Sequence, residues 1–331
     1  MLATPDRPSP TTRDGAPALG LGIDAGGTQT RWALAEAGST DEESAIVAEG
    51  HVAGLSGMQL GSESGRSALV RTLHALATEV LSHGRPRRLC AGITGLPSAE
   101  LGDAQGVAQM KAMLARALGM PMEAMVCRSD MDIAWRAAFQ QPGEGYLLYA
   151  GTGAIAAFID EQETLQRAGG RGMLLGDEGG GFWIATQALA QVWRMEDELP
   201  GSAAARSPMA RRLFEAVGSR DWAGTRSLVY GGSRGRVGQL ALAVAASSGD
   251  DPAAAALLRE AGSALARLAR CLIARHGERP IVAAGRALLL SPLIEEGLRA
   301  ALPPGTPLRL QQLQPHRSAA LAAARQTTDT E

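Results

Sequence analysis

Two short glycine-rich segments constrain this 331-residue chain more than anything else in it. They are Gly22-Ile23-Asp24-Ala25-Gly26-Gly27-Thr28-Gln29-Thr30 and Leu148-Tyr149-Ala150-Gly151-Thr152-Gly153-Ala154. Each is an apolar run that ends in a tight turn and is followed by a second apolar run, Trp32 to Ala35 and Ile155 to Ile159, the pattern of a β-hairpin. Such turns aim several backbone N–H groups into one concavity, which suits a phosphate. Glycine lets the group come close because no Cβ stands in the way. Two turns in one chain point to a duplicated nucleotide clamp, with Gly26, Gly27, Thr28, Thr30, Gly151, Thr152 and Gly153 as candidate phosphate ligands. Ordinary hairpin glycines are the alternative.

The surrounding pattern also repeats. Strands are expected at 19–24, 30–36 and 45–52, then a helix at 62–83 on which Leu69, Leu73, Leu76 and Val80 form an apolar stripe. Strand 88–93, helix 106–118 and strand 124–128 follow. The second half begins again with strands 145–150, 154–160 and 164–168 and a helix from about 180 to 194. A helical insert at roughly 203–275 precedes strand 280–284, helix 287–301, strand 307–312 and a last helix near 316–325. Pro200 to Pro208 reads as a mobile loop. The expected class is α/β, with a βββαβαβα order used twice: a disordered tail at 1–17, one domain at 18–128 completed by helix 314–326, and a second at 129–313.

Composition narrows the chemistry. A net charge of −2, with 20% charged residues, gives no reason to expect nucleic acid or a membrane surface as partner. Lys111 is the only lysine, and no Gly-Lys-Ser/Thr run occurs, so a Walker-type phosphate loop is excluded. Cys90, Cys127 and Cys271 are too scattered for a disulfide framework or a zinc spacing, and Cys90 and Cys127 read as buried strand residues. None of the five histidines clusters with acids. The N-terminal segment lacks the apolar core of a secretory signal, and no run approaches membrane-spanning length, so the cytoplasm is the expected location.

Asp24 ends its strand beside the first glycine turn, placed to hold Mg²⁺ through water or, alternatively, to cap the turn. Asp130 follows an apolar strand and opens a helix, where a carboxylate can accept a hydroxyl proton or serve as a helix cap; Asp132 is its rival. Asp177 and Glu178 stand between glycines ahead of an apolar helix, as hydrogen-bond acceptors for hydroxyls or as a charged turn. Phe182 and Trp183 read as core.

The motifs together resemble the sugar kinase–Hsp70–actin superfamily from Leu19 to Arg325. Asp24-Ala25-Gly26-Gly27-Thr28 and Ala150-Gly151-Thr152-Gly153 resemble its two phosphate motifs, and Val282-Ala283-Ala284-Gly285-Arg286 its adenosine motif, with Ala284 where glycine is usual. His316 to Leu321 resembles the closing helix that packs back on the first domain. Within the superfamily, the run Gly169 to Ile184, containing Gly176-Asp177-Glu178-Gly179, and the segment Ser129-Asp130 with Ile133-Ala134 resemble the N-acetylglucosamine kinase group, which shares its domain with BadF-type ATPases.

That resemblance implies two actin-like (ribonuclease H-like) domains flanking a nucleotide cleft, with Asp130 as catalytic base and ATP and Mg²⁺ as cofactors. It implies Ala284 and Gly285 at the adenosine, and Ser56, Met58, Thr94, Gly95, Gly170, Arg171, Asp177 and Glu178 at the sugar. Met58 stands where the family has an asparagine, and Arg171 where it has a tryptophan. The expected activity is ATP-dependent phosphorylation of an amino sugar, most simply N-acetylglucosamine at its 6-hydroxyl. Glucosamine, N-acetylmuramic acid or an anhydro-sugar are close alternatives. The expected partners are the sugar and ATP, with a homodimer left open. An activator ATPase of acyl-CoA dehydratases is the rival class, but it needs cysteines near the second turn, and Tyr149 to Ala154 has none. A sugar-sensing repressor would need a DNA-binding segment, for which the 18 residues before the first strand are too few.

Overall fold

A computed structural model of the chain describes residues 18–38, 45–96 and 104–326; the expected tail at 1–17 lies outside them. The chain separates into two compact units, one reaching to Gln140 and resuming at Gln314, the other spanning Gln141–Leu313.

The first unit is built on β1 (Leu19–Ala25), β2 (Gln29–Glu36), β3 (Ile46–Ala53), α1 (Glu63–His83), β4 (Pro86–Ile93), α2 (Ala104–Leu118), β5 (Met125–Arg128) and α3 (Asp130–Ala138). Its sheet runs β3-β2-β1-β4-β5, antiparallel across the first three strands and parallel across the rest. Ser62 caps α1 by accepting from the Gly65 N–H, and the stripe Leu69, Leu73, Leu76 and Val80 is fully buried against Leu21, Ile23 and Leu89.

The second unit opens with β6 (Tyr146–Ala150), β7 (Ala154–Ile159), β8 (Leu165–Gly169) and α4 (Gly181–Glu198). The insert follows as α5 (Ala203–Arg206), α6 (Pro208–Val217), α7 (Trp222–Gly231), α8 (Arg234–Gly238), α9 (Ala241–Ser247) and α10 (Pro252–His276). Then come β9 (Ile281–Ala284), α11 (Pro292–Ala301) and β10 (Leu308–Leu310). Its sheet, β10-β9-β6-β7-β8, repeats the order and directions of the first. α12 (Pro315–Arg325) follows and belongs to the first unit. Among the described residues no helix is long and apolar enough to cross a membrane.

Two expectations about local structure need correction. Pro200 to Pro208 is not a loose loop: Ala203 is fully buried in α5, and Ser207 caps α6 while donating to the buried Asp251 at 2.6 Å. The expected helix 287–301 is split, because Ser291 caps a new helix at Pro292 and only a 3₁₀ turn, Arg286–Leu289, precedes it.

Glycine governs how closely α12 approaches the first sheet. A Cβ on Gly20 would overlap the backbone of Ala320 and Ala324, and one on Gly22 that of His316 and Ala320. These residues alternate along β1, so Gly20, Gly22 and Asp24 share one face. Gly27, by contrast, has open space where a Cβ would stand and no positive φ. Gly22→Ala should therefore lower unfolding stability by about 2–4 kcal/mol, since backbone rather than a flexible side chain must yield. Gly27→Ala should stay within about 0.5 kcal/mol of the parent. Urea midpoints of the two variants, measured side by side, check the contrast.

Candidate functional site

The first turn is closed by a hydrogen bond from Gly26 N to Gln29 O at 3.0 Å. Gly27 and Thr28 lie exposed at its tip. Thr30, expected beside them as a phosphate ligand, is fully buried, and its hydroxyl accepts from the Leu55 N–H at 3.2 Å. It secures the following segment to β2 and presents nothing to a ligand. Gly54 supports the turn from beneath, since a Cβ there would strike the carbonyls of Gly26 and Gly27.

The segment Gly54–Met58 is stitched to the end of β4. Ser56 Oγ donates to the Thr94 carbonyl at 3.1 Å, Gly57 N donates to the same oxygen at 2.9 Å, and Thr94 N donates to Ala25 O at 2.9 Å. Gly95, at φ +66, has Ser56 and Met58 where a Cβ would stand, and Met58 itself is 81% exposed. Ser56, Met58, Thr94 and Gly95 thus form one cluster beside the end of β1.

Asp130 joins that cluster. Its carboxylate accepts from the Met131 N–H at 2.9 Å and from the Thr94 hydroxyl, yet burial still pushes its pKa up. Gly92 makes the approach possible: it is the register partner of Asp24, and a Cβ there would press on Ile133 and on the Asp130 backbone. Asp24 feels the result. Burial first, then the neighbouring Asp130 carboxylate, raise its pKa to about 6 against the pull of Arg31. Two carboxyl groups pressed together without a full countercharge fit a divalent cation. Among the described residues no group of three or more potential ligands gathers, so Mg²⁺ here would keep water and substrate oxygens, its usual habit.

Asp132, the rival base, is committed elsewhere. It is buried and paired with Arg136 at 2.9 Å and Arg128 at 3.4 Å. Cys90 and Cys127 are inert thiols, pushed by burial up to about 11 and about 12.

In the second unit the Gly151–Gly153 turn is held from two sides. Gly151 N donates to Gly153 O at 2.9 Å, while Gly181 N and Phe182 N, at the start of α4, donate to the carbonyls of Gly151 and Thr152 at 2.8 and 3.0 Å. Gly180 lies against Gly153 with no room for a Cβ. Gly285, at φ +107, presses on Ala150 in the same way, and Ala284 is buried within β9 rather than offered to a nucleotide.

Gly170 turns at φ +63 over Ile155, and Arg171 is exposed with no ion-pair partner among the described residues. Glu178 pairs with Arg267 at 3.1 Å. Asp177 departs from expectation as a hydroxyl acceptor: it is 4% exposed, and its carboxylate pairs with Arg234. Arg234 lies in the insert and is missing from the sequence reading. Its only local signal is an arginine after the helix-starting Ser233, which many surface helices share.

Two five-stranded mixed sheets in duplicated order, each with a glycine turn at its first hairpin, define the actin-like ATPase fold. The chain belongs to the BadF/BadG/BcrA/BcrD ATPase family, whose model matches residues 21–298. It is similar to a provisionally named N-acetylglucosamine kinase of Chromobacterium violaceum, at 26% identity over 92% of this chain and 98% of that one, with a TM-score of 0.68. A provisionally named N-acetylglucosamine kinase of Porphyromonas gingivalis matches at 17% identity over 93% and 99% (TM-score 0.64). A ROK family glucokinase of Streptomyces griseus matches at 16% over 94% and 99% (TM-score 0.56). The last two likenesses are of fold.

The raised pKa of Asp24 predicts a pH-dependent stability. Its charged form is disfavoured in the folded state, so the cost is absent below the unfolded value of 3.8 and complete above about 6. Asp24→Asn should be more stable than the parent at neutral pH by on the order of 3 kcal/mol, the gain vanishing near pH 4. Thermal unfolding of both proteins across that range, without Mg²⁺ or nucleotide, tests it; a gain that does not change with pH would remove the assignment.

Proposed function

We propose that this protein is an ATP-dependent kinase of an amino sugar, most simply one that converts N-acetylglucosamine to its 6-phosphate. The observation that carries the reading is Asp130. It has no cationic partner among the described residues, lies beside Asp24, and shares its surroundings with Ser56, Thr94, Gly95 and the exposed Met58. Family membership supplies the use of ATP, and the resemblance to N-acetylglucosamine kinases supports a sugar acceptor.

In this reading Asp130 orients the acceptor hydroxyl and takes its proton as the phosphoryl group arrives. Its raised pKa moves the carboxylate toward the range where a general base works at neutral pH. The Gly26–Thr28 and Gly151–Gly153 turns receive phosphate oxygens through backbone N–H groups, and Gly27 leaves the needed space. Asp24 would be the residue that holds Mg²⁺, and the ion would supply charge neutralisation for the phosphates. Ser56, Met58, Thr94 and Gly95 bound the acceptor in the first unit; Gly170, Arg171 and Glu178 belong to the acceptor loop of the second. Arg171, without an ion-pair partner among the described residues, suits a sugar carboxylate, which keeps N-acetylmuramic acid among the acceptors to be tested beside glucosamine.

A coupled ADP-release assay over N-acetylglucosamine, glucosamine and N-acetylmuramic acid tests the reading. The parent should turn over at least one of them. Asp130→Asn, which keeps the shape but removes the proton acceptor, should lose about 10²-fold or more in kcat with ATP affinity retained. Near-normal turnover by that variant would refute the assignment of the base.

A further inference from the structure

With Lys111 on α2 the only lysine, any cationic side chain that meets phosphate here must, apart from that residue, be arginine or histidine. The second glycine turn has an arginine against it. Arg234 opens α8 after Ser233, and one of its Nη atoms donates to Asp177 Oδ2. The pair lies directly over Gly153: a Cβ on that glycine would overlap both the guanidinium and the carboxylate.

The rest of the guanidinium is left with donors to spare. Its Nε is buried and has no acceptor among the described residues, while the side chain as a whole keeps 39% of its exposure beside the turn. A guanidinium donor without a protein acceptor is available to a ligand oxygen, which would offset the cost of leaving it unmatched.

Asp177 is fixed more firmly than a surface counterion. It sits at φ +64, a conformation uncommon for a side-chain-bearing residue, and its carbonyl accepts from Gly180 N at 3.0 Å. Gly180 in turn rests on Gly153. At the far end of α8, a Cβ on Gly238 would stand 3.4 Å from the Thr152 methyl, so α8 lies along the turn from end to end.

We propose that Arg234 contacts the phosphate chain of the nucleotide at the Gly151–Gly153 turn, with Asp177 as the positioning residue that aims its guanidinium. The inference rests on the nucleotide-binding reading above and deepens it. The planar fork of arginine suits phosphate oxygens, and the Asp177 carboxylate spends one donor to orient the others.

Calorimetric affinities for ATP, ADP and adenosine, each with Mg²⁺, test this in the parent, Arg234→Gln, Arg234→Lys and Asp177→Asn. Arg234→Gln should weaken ATP and ADP by about 10-fold to 100-fold and adenosine by less than about 2-fold, the loss of one charge-assisted contact. Arg234→Lys should recover part of the loss. Asp177→Asn should show a smaller loss confined to the phosphorylated ligands, which a merely structural pair would not produce. ATP binding unchanged in Arg234→Gln, or adenosine lost in proportion, would overturn the proposal and leave a structural pin. A parent protein that binds neither ATP nor ADP would overturn the nucleotide reading itself, and this inference with it.

Discussion

Backbone-to-backbone packing over glycine decides where the carboxylates of the first unit end up. Gly20 and Gly22 let α12 lie directly on β1, and Gly92 lets α3 settle on β4 beside the register position of Asp24. A methyl group at any of these points would lift a helix away from the sheet. At Gly92 that helix is α3, so Asp130, its first residue, would rise with it, and the mutual perturbation of Asp24 and Asp130 would relax. The electrostatics of the site are therefore set by side chains that are absent. Close packing elsewhere in the unit, such as the Leu69–Val80 stripe, holds α1 on the sheet but does not aim the carboxylates.

The second unit solves a similar problem by different means. Its turn is gripped by N–H groups at the start of α4, so the first orphan donors of that helix are consumed by the carbonyls of Gly151 and Thr152. Gly180 and Gly285 supply the clearance. The insert between α4 and β9 is thereby tied to the turn: α8 belongs to it, yet α8 brings Arg234 against Gly153. Duplication gave the two units one sheet order, and the additions on each sheet make their turns chemically unlike.

Much of this was legible in the sequence, for reasons that can be named. Hairpin glycines flanked by apolar runs, and the 3.6-residue spacing of Leu69, Leu73, Leu76 and Val80, are local signals, and both units follow them. Asp130 and Asp132 are equivalent by local reading; only the ion pairs of Asp132 with Arg128 and Arg136 separate them. Thr30 read as a phosphate ligand because it follows the glycine turn, but strand alternation turns its side chain inward. Ser291-Pro292 was a readable helix start that the longer apolar pattern obscured. The helix start at Ser233 was readable, but nothing local tied Arg234 to Asp177, which it meets by a fold-back across 57 positions of chain.

The return of α12 to the first sheet has a bearing on how the chain comes into being. Synthesis delivers β1 first and its covering helix last, with the whole second unit made in between. Until residues 315–325 leave the ribosome, the face of β1 that carries Gly20 and Gly22 has no lid, and its apolar margins stand open to water and to chaperones. The second unit, whose sheet and helices are contiguous in the chain, can complete itself during that interval. The face of β1 that carries Gly20, Gly22 and Asp24 therefore depends for its cover on a helix about 300 positions further along the chain.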